Sequence, residues 1–144
     1  MRYQLPAFRR EVEAAGKTWH QIDLSKVFAN WMAAHEYRDA YLRRPHLLVG
    51  SALEPLQDAI VSRLADVLSA TTEDSLTLVV GAGTLFGFVH LSQLFNASKI
   101  RFNGRLLLLF PGNHEAATFN LLNARSSYTY QAVAITAAAS GGSR

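Results

Sequence analysis

The spacing of apolar residues divides the first half of the chain into helices and one strand. In residues 5–15 the apolar side chains recur every three or four positions, as in an amphipathic helix, and Gly16 ends the pattern. Residues 18–24 alternate apolar and polar side chains, as a half-buried strand does. Helical spacing then returns twice, with Ser25 as the expected cap and Pro55 in a first helical turn. The predicted helices cover residues 5–15, 25–44 and 51–70.

Strand-like runs dominate the second half. Residues 76–80 form an aliphatic run that ends at Gly81 and Gly83, and helical spacing follows over residues 85–95. Four consecutive leucines mark a further strand that is buried on both faces, and Pro111 breaks it. The remaining predicted elements are strands over residues 105–110 and 127–136 and a short helix over residues 115–123.

Strands that alternate with helices indicate an α/β fold. Because such connections are right-handed crossovers, we expect three layers, with a mostly parallel central sheet of about four strands flanked by helices. The 144 residues suffice for one such domain, which we place at residues 1–136. Residues 137–144 carry no core side chains and are expected to form a disordered tail.

Composition excludes several classes of protein. Hydrophobic residues make up 49% of the chain and charged residues 17%, which excludes a disordered chain and a coiled coil. The absence of cysteine excludes disulfides, thiolate metal sites and cysteine nucleophiles, and it fits the cytoplasm. The nearly uncharged residues 76–91 are interrupted by glycines and fall short of the roughly 18 residues that a membrane span needs. We therefore expect a cytoplasmic protein that does not cross a membrane.

The net charge of +3 is concentrated near the start of the chain. Residues 1–50 hold eight Lys or Arg and five Asp or Glu, whereas the later residues hold six of each. Basic and aromatic residues alternate in this region, which suits either single-stranded nucleic acid or a core stripe with a solvated face. A third interpretation is a protein-contact face. The excess is modest, so direct binding of nucleic acid is not expected. The residues concerned are Trp19, Trp31, Tyr37 and Tyr41 with Arg38, Arg43 and Arg44.

A glycine-rich turn is the first candidate ligand site. Gly81, Gly83 and Thr84 follow a strand, where α/β proteins cradle phosphates, and His114 is expected at the same edge of the sheet. The spacing matches neither a Walker loop nor a dinucleotide fingerprint, so a tight packing turn is the alternative. His114 and Glu115 could do acid–base chemistry, but the sequence offers no nucleophile elbow, metal-ligand spacing or carboxylate pair. We expect no enzyme activity, metal or cofactor.

The second half of the chain combines the glycine turn at residues 81–87, the turn Phe110-Pro111-Gly112 and the tyrosines Tyr128 and Tyr130. This combination resembles the BrxB-like proteins of bacterial BREX phage-defence systems. That family shows a strand ending in a Gly-x-Gly-x-Leu-Phe loop, a later strand ending in an aromatic-Pro-Gly turn, and a tyrosine-rich last strand. Gly87 and Gln131 depart from the family pattern, and a family segment before residue 19 is not matched. The residues that carry the resemblance are 78–89, 94–96, 107–112, Tyr128 and Tyr130.

The resemblance implies a small cytoplasmic, non-enzymatic adaptor. It would act by binding other components of the defence assembly, which are an ATPase, a phosphatase-superfamily protein and a DNA methyltransferase. On this view an apolar ridge at the loops contacts the partner; the alternative is that the same rings fill the domain's own core. The expected partner-binding residues are Phe86, Phe88, Phe110, Pro111, Gly112, Tyr128 and Tyr130.

Overall fold

A computed structural model describes residues 4–90, 94, 100–109, 113–115, 118–120, 127–129 and 135. The helices are α1 (Leu5–Ala14), α2 (Val27–Ala34), α3 (Arg38–Arg43) and α4 (Glu54–Leu68). The strands are β1 (Thr18–Asp23), β2 (Ser75–Val80), β3 (Arg105–Leu108), β4 (Asn113–Glu115), β5 (Thr118–Asn120) and β6 (Ser127–Thr129). Short 3-10 helices cover Pro45–Leu47, Gly50–Leu53 and Ala82–Leu85.

The predicted parallel sheet is present and contains three described strands. Its order is β1-β2-β3, both pairs are parallel, and Ile22, Val79 and Leu108 lie in register across it. Strands β4, β5 and β6 form a separate antiparallel sheet. The chain is therefore a mixed α/β protein. In the predicted last strand, Ser127–Thr129 belong to the antiparallel sheet and Ile135 lies outside any strand, so a fourth strand in the parallel sheet is not confirmed.

Both faces of the parallel sheet are apolar. On one face Ile22 and Val79 join a core cluster with α4, whose Leu56, Ile60 and Leu64 are fully buried. These residues recur at helical spacing, and burying each of them stabilises the fold by about 1.5–3 kcal/mol. Residues of opposite parity point to the other face. There Leu78 is fully buried, and Trp19 meets Phe8 of α1 edge-on, with ring centroids 5.7 Å apart.

The single helix predicted over residues 25–44 is wrong. The structure has two helices in this segment, α2 and α3. They are separated at His35, where the backbone is extended with ψ 134°. Ser25 is also not the cap of α2, because Lys26 occupies that position and the Ser25 amide donates to Asp23 Oδ1 at 2.8 Å. By contrast, α1 and α4 confirm the other two predicted helices, with Pro6 and Pro55 in their first turns.

Two further helix predictions are wrong over all or part of their range. The helix predicted over residues 85–95 does not begin where expected, because the segment after Gly83 forms one 3-10 turn and then a turn at Gly87, whose φ of +83° is left-handed. Leu94 is helical, and its amide donates to the His90 carbonyl at 3.3 Å, so this prediction is confirmed at that residue. The helix predicted over residues 115–123 is replaced at Thr118–Asn120 by β5, which pairs with both of its neighbouring strands. The predicted tail, residues 137–144, lies outside the described residues.

Candidate functional site

The carboxyl ends of β1 and β2 meet at a very close backbone approach. The Leu24 amide donates to the Val80 carbonyl at 2.9 Å, which extends the strand pairing by one residue. Gly81 follows with φ +79°, and a Cβ atom there would lie only 2.7 Å from the Ser25 Cα. Only glycine combines this left-handed conformation with so little space. Gly81 therefore lets β2 turn against the loop that follows β1.

The glycine turn uses its own polar groups to close on itself. The Thr84 hydroxyl donates to the Gly81 carbonyl at 2.8 Å and lies 3.3 Å from the Leu24 carbonyl. The carboxylate of Asp23, the last residue of β1, accepts hydrogen bonds from the amide and hydroxyl of Ser25. A carboxylate at this edge opposes binding of a phosphate. Of the two interpretations of Gly81, Gly83 and Thr84, the geometry favours the packing turn.

Half-buried rings connect this turn to α2 and α3. Phe88 stacks on Phe28 with centroids 4.3 Å apart, and Phe28 lies 6.2 Å from Trp31. His35 continues the series, since its ring meets Trp31 at 4.7 Å and Tyr41 at 5.2 Å, both edge-on. We call Phe28, Trp31, His35, Tyr41 and Phe88 the aromatic strip. It holds α2 and α3 together and joins them to the segment after β2.

His35 is the residue on which the α2–α3 corner depends. Its Nδ1 accepts a hydrogen bond from the amide of Tyr37, the residue that precedes α3, at 3.1 Å. The same imidazole separates the Trp31 and Tyr41 rings. One side chain thus supplies both a polar and an aromatic link across the break.

Replacing His35 with alanine is expected to lower the free energy of unfolding by about 1–3 kcal/mol, because it removes one hydrogen bond and three ring contacts, with Trp31, Tyr37 and Tyr41. Urea unfolding followed by circular dichroism measures the change. The exposed His46 provides the control, since His46→Ala should change stability by less than about 0.5 kcal/mol. Equal stability of the two variants would contradict the role of His35.

The most exposed apolar side chains of this region lie just beyond the aromatic strip. Their exposed fractions are 57% for Tyr37, 65% for Leu42, 45% for Leu47 and 63% for Val49. Three arginines accompany them, at Arg38, Arg43 and Arg44, and all are exposed. We call these seven residues the 37–49 surface. Its composition suits contact with another macromolecule.

The structure brings together only part of the predicted partner-binding set. Phe86 is half-buried, and Phe88 packs against the core cluster and on Phe28, as expected of a core ring. The backbone of β5 pairs Phe119 with both His114 and Tyr128, which places these two residues in the antiparallel sheet. The predicted residues outside the described part of the chain are Phe110, Pro111, Gly112 and Tyr130.

Sequence reasoning missed the exposed leucines. Leu42 has the spacing of the apolar stripe of one long helix, and this spacing alone gives no indication that it is exposed. The helix is broken at His35, and after the break Tyr41 packs on the His35 ring while Leu42 is exposed. Pro45 sets the end of α3, as the predicted helix boundary at residue 44 expects, but the apolar spacing carries no signal for the break at His35.

The opposite end of the sheet offers less chemistry. The hydrogen bond and positive charge of Lys17 hold the pKa of the exposed Asp74 carboxyl below its usual value, and Arg105 adds to this effect. A groove of about 530 Å³ lies between the end of α4 and residues 101–103. Among the described residues, no three His, Asp or Glu side chains are grouped to hold a metal ion. Nor does any described helix have the length and apolarity to cross a membrane.

Comparisons with protein-family models, curated proteins and solved structures found no match for this chain.

Proposed function

We propose that this protein is a non-enzymatic adaptor of a bacterial BREX-type antiviral assembly, and that it acts by binding other proteins. The observation that carries the proposal is the 37–49 surface, where four large apolar side chains are about half exposed or more. Apolar area that a partner removes from water contributes about 25 cal/mol per Å² to association. A cluster of such side chains on a small domain is typical of a binding face.

The proposal includes a cytoplasmic location and a specific set of partners. By the resemblance described above, these are an ATPase, a phosphatase-superfamily protein and a DNA methyltransferase. It also includes the finer architecture, a three-layer domain with about four strands in its central sheet. Leu78 supports the three-layer arrangement, because it is fully buried on the sheet face opposite Val79, and that face must therefore also be covered.

Binding of a nucleotide at the glycine turn is the alternative, and it is less well supported. Gly81 is required by the close approach of Ser25, and the Thr84 hydroxyl is bonded to a backbone carbonyl. Both residues therefore have a structural role that needs no ligand. Saturable nucleotide binding that Gly83→Val abolishes would favour this alternative over the adaptor.

Affinity purification tests the adaptor directly. The tagged protein, expressed in cells that carry its neighbouring genes, should co-purify with one neighbouring gene product in a ratio of about one to one, as expected of a specific complex. The variant Phe102→Ser is a control for exposed apolar area, because Phe102 is exposed in the groove beside α4. It should retain the partner. Folded protein that captures no neighbouring gene product at about micromolar concentration would contradict the proposal.

A further inference from the structure

We infer that the 37–49 surface binds an acidic amphipathic helix of a partner protein. This inference rests on the proposed adaptor function and specifies its contact face and the chemistry of its partner. The face differs from the expected loop ridge around Phe86. The occupant is a helix whose leucine-like residues cover the exposed apolar side chains and whose carboxylates meet the arginines.

The positive charge of the 37–49 surface indicates a partner with negative charge. The surface holds three arginines, while the single carboxylate in the same segment, Asp39, pairs with Arg38 at 3.2 Å between Nε and Oδ1. Among the described residues, Arg43 and Arg44 have no carboxylate within ion-pair distance. Two exposed guanidinium groups therefore belong to the same short segment as the exposed Leu42, Leu47 and Val49. Glutamate or aspartate from a partner would complement them, and such pairs increase association rate and specificity.

Local structure determines the form of the partner. The surface consists of α3, the 3-10 helix Pro45–Leu47 and the adjoining loop, so it presents no strand edge to an extended peptide. The known mode for an apolar surface of helices is to receive the apolar face of another helix. Leu42 and Leu47, on successive helical elements, provide such contacts.

Nucleic acid fits this surface less well. Single strands bind by stacking bases on exposed aromatic faces. Here Tyr37 is the one aromatic residue of the 37–49 surface, and the other large exposed side chains, Leu42, Leu47 and Val49, are aliphatic. The nearby Trp31 and Tyr41 rings are half-buried and pack edge-on against His35. Aliphatic side chains offer neither a stacking face nor a phosphate contact.

A second copy of the chain also fits less well. A twofold dimer through this surface would place the same patch on both sides of the interface. Arg43 and Arg44 would then face their own copies, and like charges in a desolvated contact are unfavourable. A partner of opposite charge has no such cost.

Fluorescence anisotropy with synthetic peptides tests the inference. The probe is a labelled helical peptide of about five turns with leucine at every third or fourth position and glutamate between them. A matched peptide carries lysine in place of glutamate. We expect the acidic peptide to bind the full-length protein at least about tenfold more tightly than the basic one, with an affinity that falls as salt rises.

Variants locate the contact. Arg43→Glu with Arg44→Glu, and separately Leu42→Ser with Val49→Ser, should each weaken binding of the acidic peptide by about tenfold or more. The charge control is Arg10→Glu with Arg63→Glu, two exposed arginines on α1 and α4, which should change binding less than about twofold. Circular dichroism establishes that each variant is folded.

Each other outcome overturns the inference in a distinguishable way. Equal binding of both peptides, or binding of neither, contradicts the acidic helix as the partner. The adaptor function would still stand if affinity purification yields the partner. Tighter binding of labelled oligothymidylate than of the acidic peptide assigns the surface to nucleic acid. A dimer in light scattering that Leu42→Ser with Val49→Ser dissociates assigns it to a second copy. If the acidic peptide binds as expected but affinity purification yields no partner, the result contradicts the adaptor function.

Discussion

Replacing Gly81 with alanine is expected to lower the free energy of unfolding by about 2–5 kcal/mol. The left-handed φ of +79° costs an alanine about 1–2 kcal/mol. The added methyl group would also lie 2.7 Å from the Ser25 Cα, and moving backbone to relieve such overpacking costs about 1–3 kcal/mol more. The midpoint of urea unfolding, followed by circular dichroism, measures the loss.

Gly87 provides a matched control within the same segment. Its φ of +83° is almost the same, but a Cβ atom there would meet nothing within 4 Å. Gly87→Ala should therefore show only the conformational cost of about 1–2 kcal/mol. If the two variants are equally stable, the close approach of Ser25 is not what requires Gly81, and the phosphate-cradle interpretation regains support.

The strands of the parallel sheet and the two amphipathic helices could be predicted because their signals are local. The aliphatic run that became β2 is buried along almost its whole length, and the leucine run that became β3 lies beside it in parallel register. Helix α4 carries an uninterrupted apolar stripe from Leu56 to Leu68. In these segments the hydrophobic pattern and the tertiary contacts favour the same conformation.

The failures occur where one residue overrides a pattern. Helical spacing runs through His35, but the imidazole takes the Tyr37 amide hydrogen that a continuous helix would direct to a backbone carbonyl. Helical spacing also runs through Gly87, whose left-handed backbone interrupts the predicted helix. At β5 the decisive interaction is pairing with β4 and β6, which lie elsewhere in the sequence. Apolar spacing contains none of this information.

The candidate site was predictable only in part for the same reason. The position of the glycine turn at the end of β2 follows from the sequence, because a strand must stop at Gly81. Its packing on Ser25 depends on the parallel pairing of β1 with β2, which brings residues far apart in sequence into contact. Leu42 has the same apolar character as a core leucine, and only the break at His35 leaves it exposed.

Replacing Leu78 with alanine is the second large expected effect, and it tests whether the sheet is covered on its second face. Leu78 is fully buried on the face that Trp19 shares, opposite the core cluster of Val79 and α4. A leucine-to-alanine change at a buried site costs about 2–5 kcal/mol, so Leu78→Ala should destabilise about as much as Leu64→Ala within α4.

Leu42→Ala is the exposed counterpart of these two variants. It should change the free energy of unfolding by less than about 0.5 kcal/mol, and it should instead weaken binding of the acidic peptide. A loss for Leu78→Ala close to that of Leu64→Ala means that both sheet faces contribute to the core, as a three-layer domain requires. A loss as small as that of Leu42→Ala would instead mean that stability comes from the α4 face alone. The second face would then be a competing candidate for the surface that a partner covers.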